Sequence, residues 1–468
     1  MAIAECDFET FGNRLNEVLT LSVPIRTPEK LFGRERQLET IQLALKSPGR
    51  HVFIYGDRGV GKTSLAHTAA NLVQSSDNAP LMVSCDPDAT LESVVAAICF
   101  QAQGNTPRSR YKTTSSIGLA LPLVKAETRL EERDPNVVAV TNMSTAVAAL
   151  KTLGQVYSQS TVVVVDEFDL IRDPQERARF GLLIKQLSDG DVAVRFIFTG
   201  IGQSISDLIG GHLSSQRQIE QIDLERLHWS GRQRIVQTAF DYFNLSIPAN
   251  IADRICALSD GFPYYVHLMC SKLLYECYQA EDTVIEVNKA LFMASLDAAV
   301  TSAEETLRRS YESATCRDEH MHYILWAMAE GADLNRGKDH IIASYVQVMN
   351  LLSLEPLTQK AFDSRFTRLR KENHGCILSH ALVGTNGVRP NWFRFRENMI
   401  RGFVRMQAEK CGIELDFDRH YSAHTASIRT AAVRGVFNPL STVERSVARL
   451  RRDDEKEETQ SPTSGKQL

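Results

Sequence analysis

The stretch Gly56-Asp57-Arg58-Gly59-Val60-Gly61-Lys62-Thr63 decides the fold. It follows the apolar run His51-Val52-Phe53-Ile54-Tyr55 and leads into Ser64-Leu65-Ala66-His67-Thr68-Ala69-Ala70. The order is strand, glycine-rich turn, helix, and the spelling Gly-x4-Gly-Lys-Ser/Thr is that of a phosphate-binding loop in the context it requires. Glycines let the backbone curl so that successive N–H groups converge on an anion, and the positive end of the following helix strengthens that field. On this reading Gly56, Asp57, Arg58, Gly59, Val60, Gly61, Lys62, Thr63 and Ser64 hold a nucleotide. Lys62 reaches its β- and γ-phosphates, and the Thr63 hydroxyl sits on Mg²⁺. The plain alternative is a chance glycine turn between a core strand and a core helix. The four filled motif positions and both correct flanks argue against it.

A second feature answers the first. Thr161-Val162-Val163-Val164-Val165-Asp166-Glu167-Phe168-Asp169 is a β-branched run ending in carboxylates. Such a run suits a central parallel strand covered on both faces, which delivers its acids to the carboxyl edge of the sheet where the loop also lies. Asp166 is placed to hold the Mg²⁺ shell and Glu167 to orient and deprotonate an attacking water. A further strand, Val192–Thr199, ends in polar groups, and Thr199 and Gln203 stand nearest the strand end. Thr199 either hydrogen-bonds the γ-phosphate or the water, or simply caps its strand.

At 468 residues the chain exceeds what one hydrophobic core supports, so two or three domains are expected. Apolar content of 43% and charged content of 24% are those of a soluble globular protein. A net charge of −4 supplies no global field for nucleic acid, so such a partner would need a local basic patch. The nine cysteines are scattered with no pair at metal-ligand spacing and read as thiols in a reducing compartment. The first residues, with Glu5, Asp7 and Glu9, lack the basic and apolar regions of a signal peptide, and no apolar run reaches membrane-spanning length. The expectation is a cytoplasmic protein with no membrane partner.

The boundaries expected along the chain begin with an amphipathic lead over residues 1–27. A nucleotide-binding core follows over 28–228, interrupted by a Pro/Gly/Ser/Thr-rich insertion at 104–140 with a weak strand at 117–124. That insertion is either a tolerated surface loop or a partner-contacting element. From Ser230 the helical period takes over, giving a helical lid over 229–305. Three helices, a strand Cys376–Leu382, a turn Gly384–Pro390 and a strand Trp392–Arg396 describe a winged-helix domain at 318–412. Along Gln359–Glu372, Phe362, Phe366 and Leu369 form the buried stripe. Ser364, Arg368 and Lys371 face away, flanked by Arg365. That face either reads DNA or is an ordinary solvated surface. Residues 413–468 are polar and expected to be disordered.

Taken together, these residues resemble an AAA+ ATPase over roughly residues 28–410. The chain is similar to the initiator-like branch (origin-recognition and loader ATPases) and to the signal-transduction ATPases with numerous domains. The resemblance implies an α/β fold with a P-loop parallel sheet, a helical lid and a C-terminal winged helix, and ATP and Mg²⁺ as cofactors. The upstream box Leu31-Phe32-Gly33-Arg34-Glu35 then implies adenine and ribose contacts from Phe32, Gly33 and Arg34. Thr199 lies where the first sensor is expected. Arg217, before the last strand of the sheet, matches the arginine finger that acts on a neighbouring subunit, against the alternative of a surface residue near Glu220. Gly261-Phe262-Pro263 is similar to the Gly-x-Pro of the signalling lid, which brings Pro263 to the nucleotide.

One departure stands out. Initiators commonly place an arginine at the start of that lid helix, and here Tyr264-Tyr265 stands there. No lid arginine is carried over, and the signalling branch gains weight. The expected function is ATP binding and hydrolysis in a nucleotide-controlled switch or assembly factor. Expected partners are ATP and ADP, with a homo-oligomer and a DNA or protein contact through the winged helix left open. The rival is an ATP-bound winged-helix DNA-binding module with negligible turnover. A phosphotransferase is weaker, since no acceptor site is recognisable.

Overall fold

The computed structural model describes residues 6–21, 23–105, 140–202, 217–316, 318–383 and 387–417. The expected strand 117–124, Gln203 and the C-terminal tail from 418 lie outside the described residues. The chain divides into two compact units, Ser22–Glu225 and Arg226–Leu468, the second of which also takes in Met1–Leu21.

The amphipathic lead begins with helix α1 (Phe8–Val18), capped by Asp7, whose carboxylate accepts the Thr10 N–H at 2.8 Å. It belongs to the second unit. Its Phe11 ring stacks on Tyr278 at 4.4 Å, and Arg14 lies over the Phe243 ring and donates to the Tyr242 carbonyl at 3.1 Å. Residues 25 and 26 belong to the first unit. The Ile25 N–H donates to Ser64 Oγ at 3.1 Å, and Asn71 Nδ2 to the Arg26 carbonyl at 3.2 Å. The lead expected over 1–27 is therefore divided between the two units.

In the first unit come α2 (Glu35–Lys46), β1 (His51–Tyr55), α3 (Lys62–Val73), β2 (Leu81–Ser84), α4 (Leu91–Asn105), α5 (Met143–Val156), β3 (Thr161–Asp166), α6 (Pro174–Asp189), β4 (Val194–Gly200) and β5 (Ile219–Asp223). All five strands run parallel in the order β2-β3-β4-β1-β5. Parallel pairing needs long crossovers, and the intervening helices supply them. Residues Val162 to Val165 are fully buried, as a strand covered on both faces requires. Just beyond β3, the Phe168 ring meets Phe53, Phe180 and Phe198 edge-on, with centroids 6.0, 5.2 and 5.3 Å away. That interlock fixes the turn on which the acids sit. The register Tyr55↔Gly200 and Val165↔Phe198 brings the ends of β1, β3 and β4 to one edge.

The second unit continues with α7 (Trp229–Tyr242), α8 (Ala249–Leu258), α9 (Pro263–Gln279), α10 (Lys289–Ser302), α11 (Glu305–Thr315), α12 (Glu319–Ala329), β6 (Arg336–Gly337), α13 (Lys338–Leu351), α14 (Gln359–Arg368), β7 (Leu378–Val383), β8 (Gly387–Phe395) and α15 (Ile400–Lys410). The antiparallel sheet runs β6-β8-β7, so β6 adds a short strand that no alternation in the sequence announced. Strand β8 passes through Pro390, where a turn was expected. A register irregularity lies between the pairs Leu382↔Val388 and His380↔Phe393, and Asn391 there takes a left-handed φ of 59°. Proline lacks an N–H, and a bulge is where a ladder tolerates it.

Three buried arginines converge on the end of α12, whose last carbonyls have no intrahelical partners. Arg336 donates to the carbonyls of Ala327 and Glu330, Arg405 to those of Ala329 and Gly331, and Arg401 to that of Ala332. Asp260 balances part of this charge, 2.5 Å from Arg226, 3.0 Å from Arg405 and 3.7 Å from Arg401. Arg254 of α8 and Glu409 of α15 form a second buried ion pair. The helices expected as lid and those expected as winged helix therefore share one charged interior.

Candidate nucleotide-binding site

The site begins where β1 ends. Gly56 is packed so closely against the Leu224 carbonyl that no side chain fits. The turn ends at Gly61, whose left-handed φ of 99° starts α3. A Cβ built on Gly61 would meet no protein atom within 4 Å, so open space lies where the loop turns into the helix. Lys62 folds back across the loop, its Nζ donating to the carbonyls of Gly56 at 3.0 Å and Asp57 at 2.9 Å. Burial pulls its pKa below the ordinary lysine value, and Asp169, Asp166, Asp57 and Glu167 oppose that shift. The half-buried Thr63 begins the same helix, and the Ser64 hydroxyl is taken by the Ile25 N–H.

The acids meet this loop from β3. Asp166 ends the strand, and Glu167 adopts a left-handed φ of 55°, a conformation unusual for a residue with a side chain. Two hydrogen bonds hold it there, as the Glu167 N–H donates to Asp166 Oδ1 at 3.0 Å and to Thr199 Oγ1 at 3.2 Å. Thr199 is 1% exposed, and its own hydroxyl proton goes to Asp166 Oδ1. Its hydroxyl thus joins the two acids across the β3–β4 boundary while Glu167 stays exposed. The oxygen donors of Thr63 and Asp166 suit a hard divalent cation beside phosphate.

The other expected site residues fall elsewhere. Phe32 and Gly33 form a half-buried turn, but Arg34 is 3% exposed and its side chain is committed to the protein. Its Nη2 donates to the carbonyls of Val60 at 3.1 Å and Glu225 at 2.7 Å. A guanidinium so engaged gives its Nη2 to main-chain oxygens, while the adenine and ribose contacts of this box stay an expectation. Burial brings its pKa down to about 10.

Arg217 is exposed just before β5, whose first residue pairs with His51 at the start of β1. About five residues of strand, roughly 16 Å, separate that edge from the loop of the same chain. Glu220, its expected surface neighbour, pairs with Arg50. Pro263 occupies the first position of α9 in the other unit, where proline's missing N–H is harmless. Beside it, Tyr265 is buried and donates to the Met399 carbonyl at 2.8 Å. The place of a lid arginine is thus given to packing on the C-terminal segment. Arg365, expected on a DNA-facing surface, is bound to Asp318, Nε to Oδ2 at 2.7 Å, while Arg368 and Lys371 are exposed.

Residues 30–197 match the family described as AAA ATPase domain. Over those residues the chain is similar to AAA ATPase domains. The match includes the loop 56–63, Asp166 and Glu167, and stops two residues short of Thr199. Comparison with curated proteins found no significant match. Among solved structures, the chain is similar to the Walker-type ATPase PABY2304 of Pyrococcus abyssi. That likeness is 14% identity and a TM-score of 0.49, covering 82% of this chain and 99% of that one. The Aeropyrum pernix ORC2 protein, solved in ADPNP-ADP complexes, gives 14% identity and a TM-score of 0.43 over 85% and 98%. The Thermotoga maritima RuvB Holliday junction branch migration motor gives 12% and 0.38 over 83% and 98%. None of these likenesses assigns a role to a residue of this chain. Among the described residues, no helix is long and apolar enough to cross a membrane.

Two participants had no signal in the sequence. The carbonyls of Val60 and Glu225 are main-chain groups that any residue carries. Asp169 is different, since it stands in the quoted acidic run and is the strongest of the carboxylates opposing the Lys62 shift.

Proposed function

We propose that this protein binds ATP with Mg²⁺ and hydrolyses it, and that the nucleotide state governs assembly or partner binding. The observation that carries the reading is the meeting at one sheet edge of the Lys62 loop with an Asp166–Glu167 pair joined through Thr199. Backbone N–H groups of the loop and the start of α3 bind the phosphates, and Lys62 neutralises charge that grows on the γ-phosphoryl oxygens. Glu167, exposed and rigidly held at its N–H, orients a water in line with the γ-phosphorus and accepts its proton. Mg²⁺ between Thr63 and Asp166 would supply further charge neutralisation.

The DNA-binding alternative keeps Arg368 and Lys371 but loses Arg365 to its ion pair with Asp318. Equilibrium nucleotide binding and steady-state turnover test the main reading. Lys62→Ala is expected to lose ATP binding. Glu167→Gln should bind Mg²⁺-ATP normally and turn over about 10²–10⁴-fold more slowly, the usual contribution of a general base. Unchanged turnover in Glu167→Gln removes that residue from the mechanism, and a wild-type protein that binds no ATP overturns the reading.

A further inference from the structure

The peptide joining Val60 to Gly61 leads into the cap of helix α3, and Arg34 holds its carbonyl. A trans peptide is planar, with its carbonyl and N–H pointing in opposite directions. Fixing the Val60 carbonyl on the buried Arg34 therefore aims the Gly61 N–H away from Arg34. The Val60 side chain is also buried, so the loop turns about an anchored point.

Nη2 of the same guanidinium holds the Glu225 carbonyl at 2.7 Å. Residue 224, its neighbour, is bound to the other end of the loop. The Leu224 N–H donates to the Tyr55 carbonyl at 2.7 Å, and the Leu224 carbonyl closes over Gly56. Arg34 thus ties three segments that are remote in sequence: the turn at residues 31–34, the exit of the loop, and the chain leaving β5, which itself covers the loop entrance. Hydrogen bonds from a charged donor are about twice as strong as neutral ones, and burial keeps water from competing.

We propose that Arg34 is a positioning residue of the phosphate cradle, acting through the Val60–Gly61 peptide and not through the base or ribose. The proposal rests on the ATP-binding reading and makes a demand that a base contact does not. Loss of Arg34 must weaken every ligand that shares the phosphates, by one common factor, whatever base it carries.

The test measures binding of ATP, GTP, ADP and inorganic tripolyphosphate, each with Mg²⁺, to wild type, Arg34→Met and Arg34→Lys. It is run on full-length protein well below the melting temperature of each variant. Amide hydrogen exchange across residues 59–63 is followed without nucleotide. The expected result for Arg34→Met is a loss on the order of 10–100-fold, as for other positioning groups, equal for all four ligands. Exchange at Gly61 should be faster, and Arg34→Lys should be intermediate in both readouts. Arg34→Lys carries the test if Arg34→Met does not fold. A loss for ATP that tripolyphosphate does not share overturns the proposal in favour of a base or ribose contact. Unchanged binding and exchange beside a lowered melting temperature overturns it in favour of a purely structural role. Wild-type protein that binds none of the four overturns the ATP-binding reading itself, a result visible before any variant is compared.

Discussion

Thr199 and Asp166 share a hydrogen bond where β4 and β3 end, and the oxygen of that threonine also accepts the Glu167 N–H at 3.2 Å. One hydroxyl therefore sets both acids. Thr199→Val keeps the shape and removes both bonds, leaving the Glu167 N–H on Asp166 Oδ1 and its left-handed conformation less firmly held. Turnover should fall about 10–100-fold with ATP affinity within a factor of about three, because the phosphate loop is untouched. Parallel measurements of kcat and nucleotide Kd check this. An affinity loss equal to the rate loss would mean that Thr199 serves binding.

Arg217 stands at the sheet edge opposite its own loop, so an arginine finger here can serve only another copy. Fingers elsewhere contribute about 10³–10⁵ in rate, far beyond a lost surface pair. ATPase per subunit should rise with protein concentration. Arg217→Ala keeps its pocket and Glu167→Gln keeps its finger, so mixing the two inactive variants should restore part of the activity. Normal hydrolysis by Arg217→Ala, or specific activity flat with concentration, would leave a monomeric switch.

Arg254 and Glu409 are both buried, with Nε to Oε1 at 2.6 Å. Breaking such a pair from one side leaves an uncompensated buried charge and costs about 3–5 kcal/mol, whereas an apolar pair of similar volume is near neutral. Glu409→Ala should lower the urea midpoint strongly, and Arg254→Met with Glu409→Leu should recover most of it. A double variant no better than the single one would show that the carboxylate has another essential partner.

His51 is 1% exposed, its Nδ1 accepting the Phe196 N–H at 3.0 Å. Burial, with Arg195 adding to it, takes its pKa from 6.5 to about 3. Between those values the unfolded chain binds the proton and the folded one does not. Stability therefore rises with pH in that window and falls as pH drops through it, by at most about 1.4 kcal/mol per pH unit. Melting temperatures from pH 7 to pH 4 should show this slope, and His51→Gln should flatten it. An unchanged slope would assign the acid limb to other groups.

The parallel sheet and the acid-bearing edge were legible because periodicity and motif spacing are local. An unbroken β-branched run such as Val162–Val165 has few other uses than a strand buried on both faces. Phe362, Phe366 and Leu369 likewise appear as the buried stripe that their spacing predicted. Most strand ends differ by a residue or two, β8 begins five residues before the expected Trp392, and β6 has no counterpart because two residues carry no period.

By itself, the sequence determined that residues 51–70 form a strand, a glycine-rich loop and a helix, and that carboxylates end another strand of the same sheet, one strand removed in the structure. Side-chain identity at fixed spacing suffices for both. Tertiary structure alone decided that α1 packs on Tyr278 and Phe243, and that Arg34 turns inward to two carbonyls. It alone gathered Arg336, Arg401 and Arg405 at the end of α12. In each case the partner is an aromatic face or a main-chain oxygen, far along the chain for every one of these residues but Arg336. A carbonyl is the same at every residue, so only folding selects which ones a buried arginine must satisfy.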